Sequence, residues 1–392
     1  MLPLQGIKVV EIAQNLAGPY AAEILATLVR HAMGCAEAGT MNAEDMTMDD
    51  QLADSAERLF AAHCGPEVLK AADSGTFPQA LWDAVTEAGF TASMLPEEAG
   101  GFGATIPEAM RLLQISAAHA APIPLAETML AGWLLAQAGL AVPGGVLTIA
   151  PVRLSDSAAI ERAEGWRVSG TASRVPWARD AAAIVVLAEE QGRAMIACVP
   201  AGSFHVTAQD ANLAGEPRDT VAFDAILPAA QCPLSRTHLR AAGAALRTVQ
   251  IAGALSRALS ISVEYAQTRV QFGRPIGKFQ AIQHTLAILA GQSAAAIAAA
   301  DMAAEALEHG LPPLLIGAAK ARAGEAASIA AGLAHQSHGA IGFTQEYRLH
   351  YVTRRLWSWR DEFGNEAEWN TLVGRAALAA GPDGLWPALT AA

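Results

Sequence analysis

Arg269-Val-Gln-Phe-Gly-Arg-Pro-Ile-Gly-Lys-Phe-Gln-Ala-Ile-Gln-His284 separates two long alanine-rich runs, and the fold is decided by how this stretch is read. Upstream of it, Val249, Ala252, Leu255, Leu259, Val263 and Ala266 recur at helical spacing, which predicts a helix ending near Arg269. A cation is favourable at that end, where the last carbonyls lack intrahelical partners. Gly273 and Gly277 allow backbone angles that other residues resist, and Pro275 stops the first helix and aims a second, expected to begin near Phe279. The resulting corner carries Arg269, Gln271, Arg274, Lys278 and Gln280. Paired arginines with amide side chains suit a pyrophosphate or another multiply charged anion, because each guanidinium can give two charge-assisted hydrogen bonds. On composition alone the same residues also read as a solvated connection between helices.

Composition narrows the classes. The chain has 392 residues, 52% of them hydrophobic, enough for a large core divided among two or three domains. A formal net charge of −12 with no basic tract excludes a general nucleic-acid binder, so any anionic ligand needs a local pocket. Cys35, Cys64, Cys198 and Cys232 lie far apart and read as reduced structural thiols. His335 and His338 sit three apart with no carboxylate or thiol recurring beside them, so no metal site is expected. The apolar runs are broken by charge or glycine before the ~18 residues of a membrane span. The amino terminus lacks a basic start with a cleavage site, and a soluble, cytoplasmic protein without a membrane span is expected.

Along the chain, residues 1–30 read as a strand, turn and helix, and residues 31–50 as a polar linker. Helical patterns at about Asp54–His63 and Pro78–Ala88 belong to an amino-terminal α domain over residues 51–145. The period then becomes alternating, at Val146–Ile149, Trp166–Gly170, Ala183–Leu187, Ala194–Val199, Phe204–Thr207 and Thr220–Phe223, which predicts a middle β barrel or sandwich over residues 146–232. Residues 233–392 return to long helices rich in small side chains, a bundle of four or more. The fold class is α+β multidomain.

Arg269-x-Gln271-Phe272-Gly273-Arg274-Pro275-Ile276-Gly277 followed by Phe279-Gln280 resembles the flavin-binding segment of the acyl-CoA dehydrogenases. Leu95-Pro-Glu-Glu-Ala-Gly-Gly-Phe-Gly103 is similar to a loop of that family's amino-terminal domain, and Gln336-x-x-Gly339-Ala-x-Gly342-Phe343 to its Gln-x-x-Gly-Gly-x-Gly-Phe segment. The resemblance covers roughly residues 50–390 and implies the family's three-part fold, with FAD as cofactor and Arg269, Gln271, Phe272, Gln280, Gln336 and Gly339 meeting the dinucleotide across a subunit interface. It further implies an acyl-CoA substrate in β-oxidation-type lipid metabolism, an electron-transfer flavoprotein as acceptor, and a homo- or heteromeric dimer or tetramer. The chain departs from the pattern in the β domain, where Ala150-Pro-Val-Arg-Leu-Ser-Asp156 replaces the family's Thr-Glu-Pro-Gly-x-Gly-Ser-Asp loop. Trp177 stands a few positions from the family's flavin-stacking tryptophan and reads as core or as a displaced flavin wall. Residues 1–28 separately resemble the opening of class III CoA-transferases.

In the family, a carboxylate takes the α-proton of the thioester while the flavin takes hydride from the β-carbon. Such a base needs a raised pKa, which desolvation supplies. The family's glutamate position falls on Phe363, and the alternative position used by some relatives falls near Gly243 and Ala244, so neither carries a carboxylate. Glu362, one residue early, is the candidate base. The competing reading puts Glu362 in a solvated cluster with Asp361, Arg354, Arg355 and Arg360, and makes the chain a base-deficient partner that completes a flavin site in an unlike-subunit assembly.

Overall fold

Helix α1 (Met48–His63) starts earlier than the sequence pattern implies, inside the expected linker. The structure, a computed structural model, describes residues 48–390 apart from 152 and 154; the transferase-like segment lies outside the described residues. After α2 (Pro66–Asp73) and α3 (Gln79–Glu87), the chain forms α4 (Ile106–Ala118) and α5 (Leu125–Gln137). Thr105 caps α4 reciprocally with Glu108, which satisfies amides at the helix start. Eleven of the 13 residues of α5 are buried, Leu125 to Leu135, so this helix has no solvent face to speak of.

The middle segment forms two four-stranded sheets that share one core, a sandwich. The first, in the order β1-β4-β5-β8, uses β1 (Leu147–Ile149), β4 (Ala183–Glu190), β5 (Arg193–Pro200) and β8 (Ala229–Gln231), with β1 parallel to β4. The second, β2-β3-β7-β6, uses β2 (Ala159–Ala163), β3 (Gly165–Pro176), β7 (Arg218–Leu227) and β6 (Phe204–Ala208). Alternation puts Val168, Val221 and Phe223 of one sheet against Ile184, Val186 and Met195 of the other. Trp177 is core: it is buried, its indole meets Phe77 edge-on at 6.1 Å, and its backbone N–H donates to the Pro217 carbonyl at 3.0 Å.

The last segment is the bundle. α6 (Arg236–Thr268), α7 (Gln280–Glu308) and α8 (Pro313–His338) pack on one another, α9 (Leu349–Asp361) lies on α6 and α8, and α10 (Glu366–Thr390), with left-handed Gly381 inside it, lies on α8. Ser235 begins α6 with a capping box closed by His238. Alanine and glycine let the helices cross closely. At Gly253 a Cβ would stand 2.0 Å from the Gln114 carbonyl oxygen of α4. Against the expectation of broken apolar runs, α7 is long and apolar enough to cross a membrane, the one such helix among the described residues, yet it packs as a member of this bundle.

Candidate functional site

The corner between α6 and α7 is a small hairpin, β9 (Val270–Gln271) and β10 (Arg274–Pro275). Its two turn residues, Phe272 and Gly273, both have positive φ, +51° and +78°, as a tight twisted hairpin turn demands. Glycine accepts that at no cost, but phenylalanine does not, and the ring it displays is 93% exposed. Arg269 caps α6 through its N–H to the Tyr265 carbonyl, and its exposed guanidinium has no ion pair or hydrogen bond among the described residues. Arg274 lies 4.2 Å over the Phe279 ring, which meets Phe272 edge-on. Gln271, on β9, gives its amide N–H to the Val270 carbonyl, and Gln280, opening α7, is exposed.

At the far end of α8, Gln336 and Gly339 are exposed beside Phe343, itself 67% exposed. Tyr265 ties this end to the corner: its ring stacks on His338 at 4.5 Å and its hydroxyl donates to the His338 carbonyl at 3.4 Å. Two segments some 60 residues apart in sequence therefore flank one helix end. An unmatched guanidinium, an exposed aromatic ring, the exposed amides of Gln280 and Gln336 and a glycine with open space at its Cβ position fit an anionic dinucleotide. His335, packed between Phe343 and Trp357, and His338 are held below the ordinary histidine value by burial, and no group of metal ligands forms among the described residues.

Glu362 does not face this surface and is not a free carboxylate. Its Oε1 accepts from Arg218 Nε at 2.8 Å and from Asn212 at 3.1 Å; its Oε2 accepts from Arg247 Nε at 2.7 Å and Arg218 Nη2 at 3.1 Å. Arg247 continues to Glu127 on α5 at 2.5 Å, and Arg218 to Glu216 at 3.0 Å, which also meets Arg355 at 3.1 Å. Burial alone would raise the Glu362 carboxyl, but the Arg218 and Arg247 guanidiniums overrule it and hold it at about 2. That corrects the reading of a solvated charge cluster and weighs against Glu362 as the base. A carboxylate so acidic, with both oxygens occupied, is a poor acceptor for a weakly acidic carbon-bound proton. The cluster that holds it is buried, with the Glu362 side chain 15% exposed, and its partners are Arg218 and Arg247. Of the residues expected there, Arg354 pairs with Asp73 and Arg360 with Glu366, while Arg355 joins only through Glu216.

The next residue is more informative. Phe363 sits in the turn after α9 at φ +56°, with its carbonyl accepting from the Trp369 indole at 3.1 Å, while Lys320 donates to the Arg360 and Gly364 carbonyls on either side. Its ring lies against Gly243 of α6 so closely that a Cβ there would be 2.3 Å away, and Arg247 stands 5.7 Å from the ring. The two positions that the resemblance marks as alternative homes for the base thus face each other across the α6–α9 contact. They hold a phenyl ring and a hydrogen atom. Sequence reasoning missed Arg247 and Glu127, although a single arginine inside the apolar run Ala241–Leu255 and a single glutamate inside Leu125–Leu135 were visible signals of a buried pair.

The chain matches the acyl-CoA dehydrogenase N-terminal domain over residues 47–141 and the acyl-CoA dehydrogenase C-terminal domain over residues 240–366. It belongs to the acyl-CoA dehydrogenase family. Among curated relatives of this acyl-CoA dehydrogenase-family chain, acyl-CoA dehydrogenase IpdE2 of Mycobacterium tuberculosis is 30% identical over 313 residues, 78% of this chain and 89% of the relative. A variant of the Tcur3481–Tcur3483 steroid ACAD has the same fold with a TM-score of 0.77 at 26% identity, covering 84% of this chain and 98% of that one. The ChsE4–ChsE5 complex of Mycobacterium tuberculosis reaches 0.77 at 24% identity, over 86% and 99% of the two chains.

Proposed function

We propose that this chain works within an FAD-dependent acyl-CoA dehydrogenase as the subunit that completes a flavin site and leaves the base to an unlike partner. One observation carries the reading: Phe363 packs on Gly243 where the base would stand, and the nearest carboxylate, Glu362, is locked between two arginines. FAD, when bound, accepts hydride from the β-carbon of the acyl-CoA thioester. This chain's residues hold and orient. Arg269 and Gln271 would meet the pyrophosphate charge, and Phe272, Gln280, Gln336 and Gly339 would hold the adenosine portion from the corner and the end of α8. The α-proton goes to a carboxylate of the partner, in a heteromeric dimer or tetramer, and electrons leave through an electron-transfer flavoprotein. Support comes from the similarity to structures named for two chains together. A cytoplasmic location accompanies this reading.

Spectra of purified protein test it. Produced alone or with its partner, the chain is expected to carry yellow chromophore only in an assembled form; acyl-CoA bleaches the flavin only when the partner is present. Arg269→Ala is expected to lower flavin content by at least about tenfold, the loss of one charged bidentate contact. Bleaching by the chain alone, or full flavin retention in Arg269→Ala, overturns the reading.

A further inference from the structure

Behind the flavin-facing corner, a cavity of about 680 Å³ opens between α2, the end of α4, α6 and the segment before and into α9. That volume suits a small molecule of drug-like size. Leu69, Ile261, Tyr347, Tyr351 and Val352 give one part of its wall an apolar and aromatic surface, and charged and polar side chains make up the rest. Set into that wall is Arg257, on the stretch of α6 whose other residues are mostly buried.

The charges in the cavity are sorted. Arg348 is matched by Glu264, His119 by Glu57 at 2.7 Å, and Asp73 by Arg354 at 2.7 Å. Glu67, Lys70 and Glu346 sit at the rim, exposed. Arg257 is recessed like His119, but its guanidinium has no hydrogen bond or ion pair among the described residues. Burial first and Arg348 second weaken its hold on its proton, only partly offset by Glu264 and Glu57, as expected of a cation with too few anions near it. A recessed guanidinium facing apolar and aromatic walls wants a carboxylate with an apolar body. At the rim Glu67 and Glu346 outnumber Lys70, which argues for a single negative charge over a phosphate dianion or a CoA moiety.

We propose that this cavity binds an amphipathic monocarboxylate, a free fatty or ring-bearing acid, with Arg257 gripping its carboxylate and Ile261, Tyr347 and Tyr351 covering its apolar body. None of the corner residues lines the cavity, so the site stands apart from the flavin reading.

The test is fluorescence titration of the purified full-length chain with parinarate, a fluorescent fatty carboxylate, and with its uncharged methyl ester. Parinarate is expected to bind saturably at one per chain, and the ester at least about tenfold more weakly, the loss of a charge-assisted contact. Arg257→Gln is expected to bring parinarate down to the level of the ester with its melting temperature unchanged. No saturable binding, equal affinity for acid and ester, or unaltered affinity in folded Arg257→Gln each overturns the proposal. The comparison of acid with ester needs no variant and decides the matter even where Arg257→Gln does not fold.

Discussion

Glu362 shows how one side chain's meaning depends on what surrounds it. Its native carboxyl sits near 2 against an ordinary 4.5, so the folded state binds its proton less readily than the unfolded chain. The stabilisation is therefore complete above about 4.5 and is lost as pH falls from there toward 2. Glu362→Gln leaves Arg218 and Arg247 facing a neutral amide, and a broken buried pair typically costs about 3–5 kcal/mol. Denaturant unfolding at pH 7 is expected to show that loss, and at pH 3 the gap between variant and native protein is expected to shrink. A constant gap would place Glu362 outside the network's energetics. At this scale the sequence was partly legible. Arg269, Gln271 and Gln336 stand on the surface, whereas the pairing of Glu362 was not predictable, because Arg218 and Arg247 come from a strand and a helix far away in sequence.

Between elements, the decisive contact is α6 against the turn after α9. Gly243→Ala is expected to force the Phe363 ring away and cost about 1–3 kcal/mol, the usual range for overpacking. Phe363→Ala alone loses the ring's packing. In the double variant the added methyl occupies space the ring has left, so the two costs are expected to combine to less than their sum, measured as a double-mutant cycle by denaturant unfolding. Strict additivity would show that the two residues do not touch. The elements themselves were largely readable: the helix ending at Arg269, its successor at Gln280 and six of the strands follow their periodicities. What periodicity could not supply was the hairpin at the corner, a two-residue ladder with left-handed Phe272, or the strands Ala159–Ala163 and Ala229–Gln231, which carry no apolar–polar alternation of bulky residues.

On the scale of the whole molecule, the order of helical, β and helical segments was legible because each change of period spans many residues. The outer surface was not. α7 keeps an apolar stretch of which only 39% is buried, with Ile288 half exposed, and α8 adds Ile329 at 38%. Apolar helix surface of this kind is suited to a protein contact, which a variant tests. Ile288→Glu is expected to shift the assembly toward smaller species in sedimentation velocity, with helical content unchanged by circular dichroism; an unchanged mass would remove α7 from the contact.

The buried ion network also constrains inheritance. Arg218, Arg247 and Arg355 face Glu127, Glu216 and Glu362, three against three, in a space with little water to absorb a mismatch. A lineage that loses one of these charges is left with an odd one, so descendants are expected to keep the full set or discard its members two at a time, an arginine together with a glutamate. The packing of the Phe363 ring on Gly243 would then be held in place across generations by a charge balance among its buried neighbours.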